Sequence, residues 1–201
     1  MKTIRYYLVP KSPWTYLGHE RLLELARKHG AAIEPRPFGL TQAVFPISGG
    51  LPLNERPVQR QAYRLVELQR WSDYLGLPLT LHPKHFPVDD LAASKMIISV
   101  AQAHGNDSAL RLAGAMLRAV WAEERDIADT DTLIQLANES GLNGDAVYAA
   151  HENGAPLLER YTQEAIDLKV FGAPWYEYNG ESFWGQDRLD FLDRALAAPA
   201  R

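Results

Sequence analysis

Strand-like sequence occurs only at the two ends of this chain, and nearly everything between reads as helix. Thr3 to Val9 is rich in β-branched and aromatic residues and reads as a strand. Thr15 to His29 follows with Leu22, Leu23, Leu25 and Ala26 on a helical stripe, and Gly30 stands where a C-terminal cap belongs. Ile33 to Phe38 reads as a second strand, which Pro35 and Pro37 weaken or confine to a sheet edge. A crossover of this length favours a parallel pair. At the far end, Pro174 to Tyr178 and Glu181 to Phe183 flank Asn179-Gly180, the strongest hairpin signal in the sequence. A last helical pattern runs from Gly185 or Gln186 to Ala197, with Leu189, Leu192 and Leu196 on one face. Any sheet must therefore be assembled from both ends of the chain.

The middle begins with an irregular stretch, Gly39 to Pro57, long enough to suggest a functional or flexible loop. Helices are then expected over Val58 to Leu75, with Ala62, Leu65, Val66 and Trp71 near helical spacing, and from Pro87 or Val88 to about His104. Gly105 closes that helix, and Asp107 caps another that reaches Glu124. Asp129 or Thr130 caps a short helix ending at Gly141, and Asn143 caps one ending near Gly154. Pro156 sits in the first turn of a helix to about Lys169. A β-α-β half and a β-β-α half in this order predict an α/β, thioredoxin-like sheet from residues 1–39 and 170–201. Residues 40–169 would form an inserted all-helical domain.

Composition excludes several function classes. The 201 residues carry 21 basic and 25 acidic side chains, a formal charge of -4, so neither nucleic acid nor an anionic membrane is an expected partner. No apolar run approaches the ~20 residues of a membrane span. Met1 to Arg5 leads directly into a strand without a signal-peptide pattern, which makes a cytoplasmic location the expectation. There is no cysteine, so a disulfide, a thiolate metal site or protein-borne thiol redox chemistry is impossible. The closest histidine pair, His82 and His85, is split by Pro83, and no metal is expected; phosphate-binding glycine loops are also missing.

Four places could carry chemistry. Ser12-Pro13-Trp14-Thr15-Tyr16 lies where the first strand passes into the first helix. A helix N-terminus attracts anions, and a serine there can donate to a thiolate or carboxylate, although a cap followed by proline explains the same residues. Phe171-Gly172-Ala173-Pro174-Trp175 precedes the hairpin, where a cis bond is one explanation of the proline. Gln186 and Asp187 open the last helix; Asp187 either favours the helix dipole or binds an ammonium group. Arg60 and Glu67, about two turns apart on one predicted helix, can face the same way, though a solvated face with Arg56, Arg64 and Arg70 explains them equally.

Taken together, these pieces resemble a known family over nearly the whole chain. Ser12-Pro13-Trp14-Thr15-Tyr16-Leu17-Gly18 is similar to the motif that opens the 2-hydroxychromene-2-carboxylate isomerases and the related kappa-class glutathione transferases. Val170-Phe171-Gly172-Ala173-Pro174 and Phe183-Trp184-Gly185-Gln186-Asp187-Arg188-Leu189 resemble their C-terminal signature. Gln61 to Leu65, Trp71, Leu75-Gly76 and His85-Phe86-Pro87 fit the middle. The resemblance implies a DsbA-like thioredoxin fold with a helical insertion. The Cys-x-x-Cys pair of DsbA is replaced here around Ser12, so disulfide exchange, which needs a protein thiolate, is excluded.

The resemblance also implies glutathione as cofactor and assigns roles. Ser12 would hydrogen-bond the glutathione sulfur and favour its thiolate. Ala173, before a cis Pro174, would pair its backbone with the cysteinyl part. Gln186 and Asp187 would hold the γ-glutamyl end, and Arg60 the glycyl carboxylate. Glu67 falls where relatives carry an acid, and Asn54 aligns with a ligand-binding asparagine through an insertion or deletion. Trp14, Lys84 and His85 are the candidate substrate contacts, and Trp14, Phe45, Trp175 and Trp184 could form an aromatic wall. The implied activity is glutathione-dependent isomerisation of an aryl-unsaturated keto acid and its cyclic hemiketal, in aromatic catabolism, by a homodimer. A glutathione transferase or peroxidase, and a non-catalytic module with an apolar groove along residues 39–57, are the alternatives. Lys11 and Val9-Pro10 depart from the family pattern, as does arginine where some relatives have lysine.

Overall fold

A computed structural model describes residues 1–198. Strands β1 (Thr3–Leu8), β2 (Ala32–Pro37), β3 (Trp175–Tyr178) and β4 (Glu181–Trp184) form one four-stranded sheet in the order β2-β1-β3-β4. β1 pairs with β2 in parallel, Ile4 opposite Ile33, and with β3 antiparallel, Tyr6 opposite Tyr176. The two ends of the chain thus meet at the centre of the sheet, and the proline-bearing β2 is an edge as expected. Asn179 and Gly180 take positive φ of 51° and 79°, which lets β3 turn back into β4. This mixed sheet, with β1 central and parallel to β2, is the thioredoxin-like sheet that the sequence predicts. Of the expected 170–201 segment, residues 199–201 lie outside the described residues.

The pleat sends alternate residues to opposite faces. Ile4, Tyr6 and Leu8 enter one apolar cluster with Leu17 and Leu22 of α1 (Pro13–His29). The same cluster takes in Ile97 of α4 (Leu91–His104), Met116 and Trp121 of α5 (Asn106–Trp121), and Leu192 of α9 (Leu189–Ala197). Tyr7 and Val9 join a smaller cluster on the other face with Phe38, Leu40, Val170 and Trp175. One apolar cluster therefore includes residues of both the sheet and the helical block.

Several boundaries differ from the sequence reading for local reasons. The stretch 39–57 is largely helical turns: a π-helical turn Leu40–Val44, α2 (Phe45–Ser48) and a 3₁₀ turn Leu53–Glu55. α4 starts at Leu91, not at Pro87 or Val88, because Leu91 N–H donates to Asp89 Oδ1 at 3.0 Å and holds a turn ahead of the helix. Gly105, not Asp107, occupies the cap of α5; Asp107 lies in its first turn, where the dipole favours a carboxylate. α5 stops at Trp121, and Glu124 turns the chain with φ 52°. The side chains of Asp129 and Asn143 do cap α6 (Thr130–Glu139) and α7 (Gly144–Ala149). Pro156 lies in the first turn of α8 (Ala155–Asp167).

On α3 (Val58–Leu75) the buried positions are Leu68 and Ser72, while Ala62 and Val66 are exposed. The helix packs mainly on α1, so only a narrow stripe is covered.

Candidate active site

The first turn of α1 leaves hydrogen-bond donors open to the cleft. Ser12 caps the helix: its Oγ accepts from Thr15 N–H at 3.2 Å, and its carbonyl accepts from Tyr16 N–H at 3.0 Å. The Ser12 hydroxyl proton is donated to no group among the described residues, and Trp14 N–H has no partner among them. No acidic residue lies in this turn, so the positive end of a 17-residue helix is uncompensated. The cap reading and the anion-site reading of Ser12 are thus compatible, because the oxygen accepts one bond and keeps its proton free.

Two close approaches position the rest. A Cβ on Gly18 would stand 2.8 Å from both Gln186 Cβ and the Tyr176 hydroxyl, so only glycine lets α1 lie against the 185–188 turn. A Cβ on Gly172 would collide with the Trp184 indole, whose ring also packs edge-on to Phe171 at 4.6 Å between centroids. The Ala173–Pro174 bond is cis, as is Phe86–Pro87, which has no counterpart in the sequence reading. Neither the N–H nor the C=O of Ala173 has a partner among the described residues, and Pro174 C=O accepts from Gly185 N–H at 2.9 Å.

These elements enclose two cavities that share Trp14, Ala173 and Trp184, and so form one cleft. The larger, about 390 Å³, is lined by Ser12, Asn54, Arg60 and Phe45 among the expected residues. The smaller, about 320 Å³, is lined by Glu67, Gln186 and Asp187. Both volumes fall in the range of small-molecule sites.

Gln186 is buried, and its Oε1 and its carbonyl both accept from the Arg21 guanidinium, at 2.8 and 3.1 Å. What it can offer a ligand is its amide N–H. Asp187 is partly exposed and pairs with Arg188 at 3.3 Å. Glu67 accepts from Arg70 at 2.8 Å; bonds from Tyr63 and Arg70 hold its carboxyl below the usual range.

Three expectations come out differently. Lys84 and His85 line neither cavity: Lys84 N–H donates to Glu124, and His85 faces Asp126 at 3.5 Å. Their neighbours Phe86 and Pro87 line the larger cavity instead. Trp175 is buried in the smaller apolar cluster rather than standing in the aromatic wall, while Trp14, Phe45 and Trp184 do face the cleft. Of the expected solvated face, Arg70 is exposed, whereas Arg56 and Arg64 are part-buried and line the larger cavity together with the exposed Arg60. The loop 39–57 lines that cavity too, as the binding-module alternative expects, but it shares it with Ser12 and three arginines rather than forming a purely apolar groove.

Arg64 is the most buried of these arginines. Its guanidinium lies 5.4 Å from the Phe86 ring centre and 5.6 Å from that of Trp121. Trp121 Nε1 donates to the Lys11 carbonyl at 3.2 Å, which puts this stack beside the backbone leading into Ser12. Burial, then the nearby Arg56 charge, lowers the Arg64 pKa to about 10. Lys11 also borders the cavity but is neutralised by Asp90 at 2.9 Å. Burial pushes the Asp90 carboxyl up, and the Lys11 charge opposes this.

The sequence profile of the DSBA-like thioredoxin domain matches residues 4–197. A 2-hydroxychromene-2-carboxylate isomerase of Sphingobium xenophagum is 32% identical over 97% of this chain and 98% of its own length. A solved structure of 2-hydroxychromene-2-carboxylate isomerase superposes with a TM-score of 0.81 at 25% identity, covering 97% of this chain and 94% of that one. Glutathione S-transferase kappa 1 of Caenorhabditis elegans is 25% identical over 98% of this chain and 91% of its own.

Proposed function

The chain belongs to the DSBA-like thioredoxin family and to the 2-hydroxychromene-2-carboxylate isomerase family, and from that premise we propose that it is a glutathione-dependent isomerase of an aryl-unsaturated keto acid. The observation that carries the reading is the pairing, in one cleft, of a free Ser12 hydroxyl at an uncompensated helix N-terminus with an unpaired Ala173 backbone. A chain without cysteine has no sulfur nucleophile of its own, so such a site suits a thiolate brought by a ligand.

The residues present fit glutathione. Ala173 offers its N–H and C=O to the cysteinyl backbone, in the manner of an added strand. Asp187, Glu67 and Arg188 at the smaller cavity suit an end that carries both an ammonium and a carboxylate group. Arg60 at the larger cavity suits the glycyl carboxylate. Ser12 donates its proton toward the sulfur, and the α1 dipole lowers the cost of negative charge there. Bound glutathione supplies a thiolate able to add reversibly to a conjugated carbon–carbon bond, which can then rotate. Trp14, Phe45 and Trp184 shield the reacting centre from water.

The test is turnover of 2-hydroxychromene-2-carboxylate with and without reduced glutathione, alongside a count of free thiol. Isomerisation that needs glutathione and leaves the thiol count unchanged is the expected result. Loss of thiol in step with turnover makes the protein a transferase instead, and turnover without glutathione refutes the cofactor. Calorimetric titration with glutathione should show Asp187→Ala weakening binding by about tenfold or more, the loss of a charge-assisted hydrogen bond.

A further inference from the structure

Gln186 is enclosed, yet it lines the smaller cavity. A glutamine amide keeps nearly the same shape when its oxygen and nitrogen are exchanged, so its hydrogen-bond partners decide which end faces where. Here the partner is Arg21 on α1. Its Nη1 donates to Gln186 Oε1 at 2.8 Å and to the Gln186 carbonyl at 3.1 Å. A guanidinium has donors only, so a reversed amide would set N–H against N–H. No group among the described residues accepts from Gln186 Nε2, and this nitrogen is not sealed from solvent. It therefore opens on the cavity as a donor. The contact is close: a Cβ on Gly18 would stand 2.8 Å from Gln186 Cβ, which leaves the glutamine stem little room to turn. Arg21 itself lines neither cavity, and its other ionic contact is the exposed Asp190 at 3.7 Å. Whatever Arg21 does for a ligand passes through Gln186.

The charged groups at the smaller cavity are Glu67, Asp187 and Arg188, and Arg188 is already paired with Asp187 at 3.3 Å. Two carboxylates attract an ammonium group and repel a carboxylate. An α-amino-acid end carries both groups on one carbon, so its carboxylate needs a donor close by. With its nitrogen toward the cavity, Gln186 supplies that donor. With its oxygen there, it would repel the carboxylate as well. We propose that Arg21 is a positioning residue that holds Gln186 as a donor, and so makes the smaller cavity select the carboxylate of an α-amino-acid end along with its ammonium. The choice of ligand rests on the proposed function, under which that end is the γ-glutamyl end of glutathione; the Arg21–Gln186 geometry does not.

Calorimetry on the full chain compares glutathione with 4-aminobutanoyl-cysteinylglycine, which lacks only the α-carboxylate of the γ-glutamyl end, and with γ-glutamylcysteine, which lacks the glycyl end. Wild type should prefer glutathione to the first analogue by about tenfold or more, the effect of one charge-assisted hydrogen bond. Arg21→Met should shrink that preference to below about threefold, at low and high salt alike, and leave the penalty for losing glycine unchanged. Gln186→Glu keeps an acceptor for Arg21 and turns an oxygen toward the cavity, so it should reverse the preference. Equal weakening of all three ligands by Arg21→Met marks a structural role, and a change that high salt abolishes marks a charge acting through space; either overturns the proposal. Should Arg21→Met not fold, Gln186→Glu decides, and a preference for glutathione that survives there overturns it. L-Glutamine and 4-aminobutanamide repeat the comparison in wild type and variants without thiol or glycine. Discrimination between these two where glutathione does not bind refutes the cofactor alone. Glutathione binding without discrimination against its decarboxylated analogue refutes the role of Arg21 alone, and no discrimination within either pair refutes both.

Discussion

Acid should weaken this fold through one side chain. His19, on α1, is fully enclosed; its Nε2–H donates to the Leu110 carbonyl at 3.0 Å and its Nδ1 accepts from the Tyr6 hydroxyl at 3.2 Å. That pattern requires the neutral ring. Burial lowers its pKa from 6.5 to about 4, against a smaller opposing effect of the Leu110 carbonyl. The unfolded chain therefore takes up the proton first as pH falls, and stability present above pH 6.5 is lost between about 6.5 and 4. At ~1.4 kcal/mol for each tenfold of protonation, the loss amounts to about 3 kcal/mol. For a chain of this size that is a drop in Tm of about 6–12 °C. The assay is urea unfolding at several pH values across this window for the wild type and His19→Gln. The variant has its own baseline stability, but every other titrating group is shared, so the difference in pH dependence belongs to His19. Wild type should lose about 3 kcal/mol more than the variant across the window. Curves that run parallel would refute the reasoning. Because His19 joins α1 to β1 and α5, this loss reaches the element that presents Ser12.

Two further predictions concern the site. Ser12→Ala should cost about 1 kcal/mol of stability by removing the cap, whereas Ser12→Gly costs only a few tenths. Both should raise the thiol pKa of bound glutathione by about one to two pH units, from loss of a hydrogen bond to a charged group, read from thiolate absorbance against pH. An unchanged titration in both variants removes Ser12 from the mechanism. Gly18→Ala should destabilise the protein by up to about 2 kcal/mol, because overpacking against Gln186 and Tyr176 exceeds the helix-propensity gain. It should also weaken glutathione binding by shifting the 185–188 turn, and an unaltered affinity in a destabilised variant would show that the turn moves independently of α1.

The sheet was legible because its signals are local. Alternation along Thr3–Leu8, prolines at an edge strand and Asn179-Gly180 at a turn each have one cheap backbone solution. Ser12, Asp129 and Asn143 were readable as caps for the same reason. The placement of Arg56 and Arg64 at the larger cavity was not. A charged residue facing a water-filled cavity and one facing bulk solvent obey the same sequence pattern, and only the tertiary fold distinguishes them. The turns inside 39–57 were hidden by Gly49-Gly50 and by prolines, which mark breaks without saying what lies between them. Trp175 was misplaced because strand alternation does not say which face of a sheet is the site, and both faces here are covered.

α3 shows how one helix can mislead a periodicity argument and still organise a site. Leu68 and Ser72 form its buried line, yet Arg60, Arg64, Glu67 and Trp71, at i, i+4, i+7 and i+11, form a second stripe along the cleft. At about 100° per residue this stripe runs directly beside the buried line, so the inward side of α3 is wide and half of it is charged, which blurs the apolar signal. The second stripe is sorted by charge: the two arginines border the larger cavity, and Glu67, with Asp187 across from it on the 185–188 turn, borders the smaller. A ligand with an end that carries both an ammonium and a carboxylate, and a lone carboxylate at the other end, has only one favourable direction along such a stripe. The orientation of glutathione in the cleft, and with it which side of the thiol faces the second substrate, would then be set by α3 before Ser12 makes any contact.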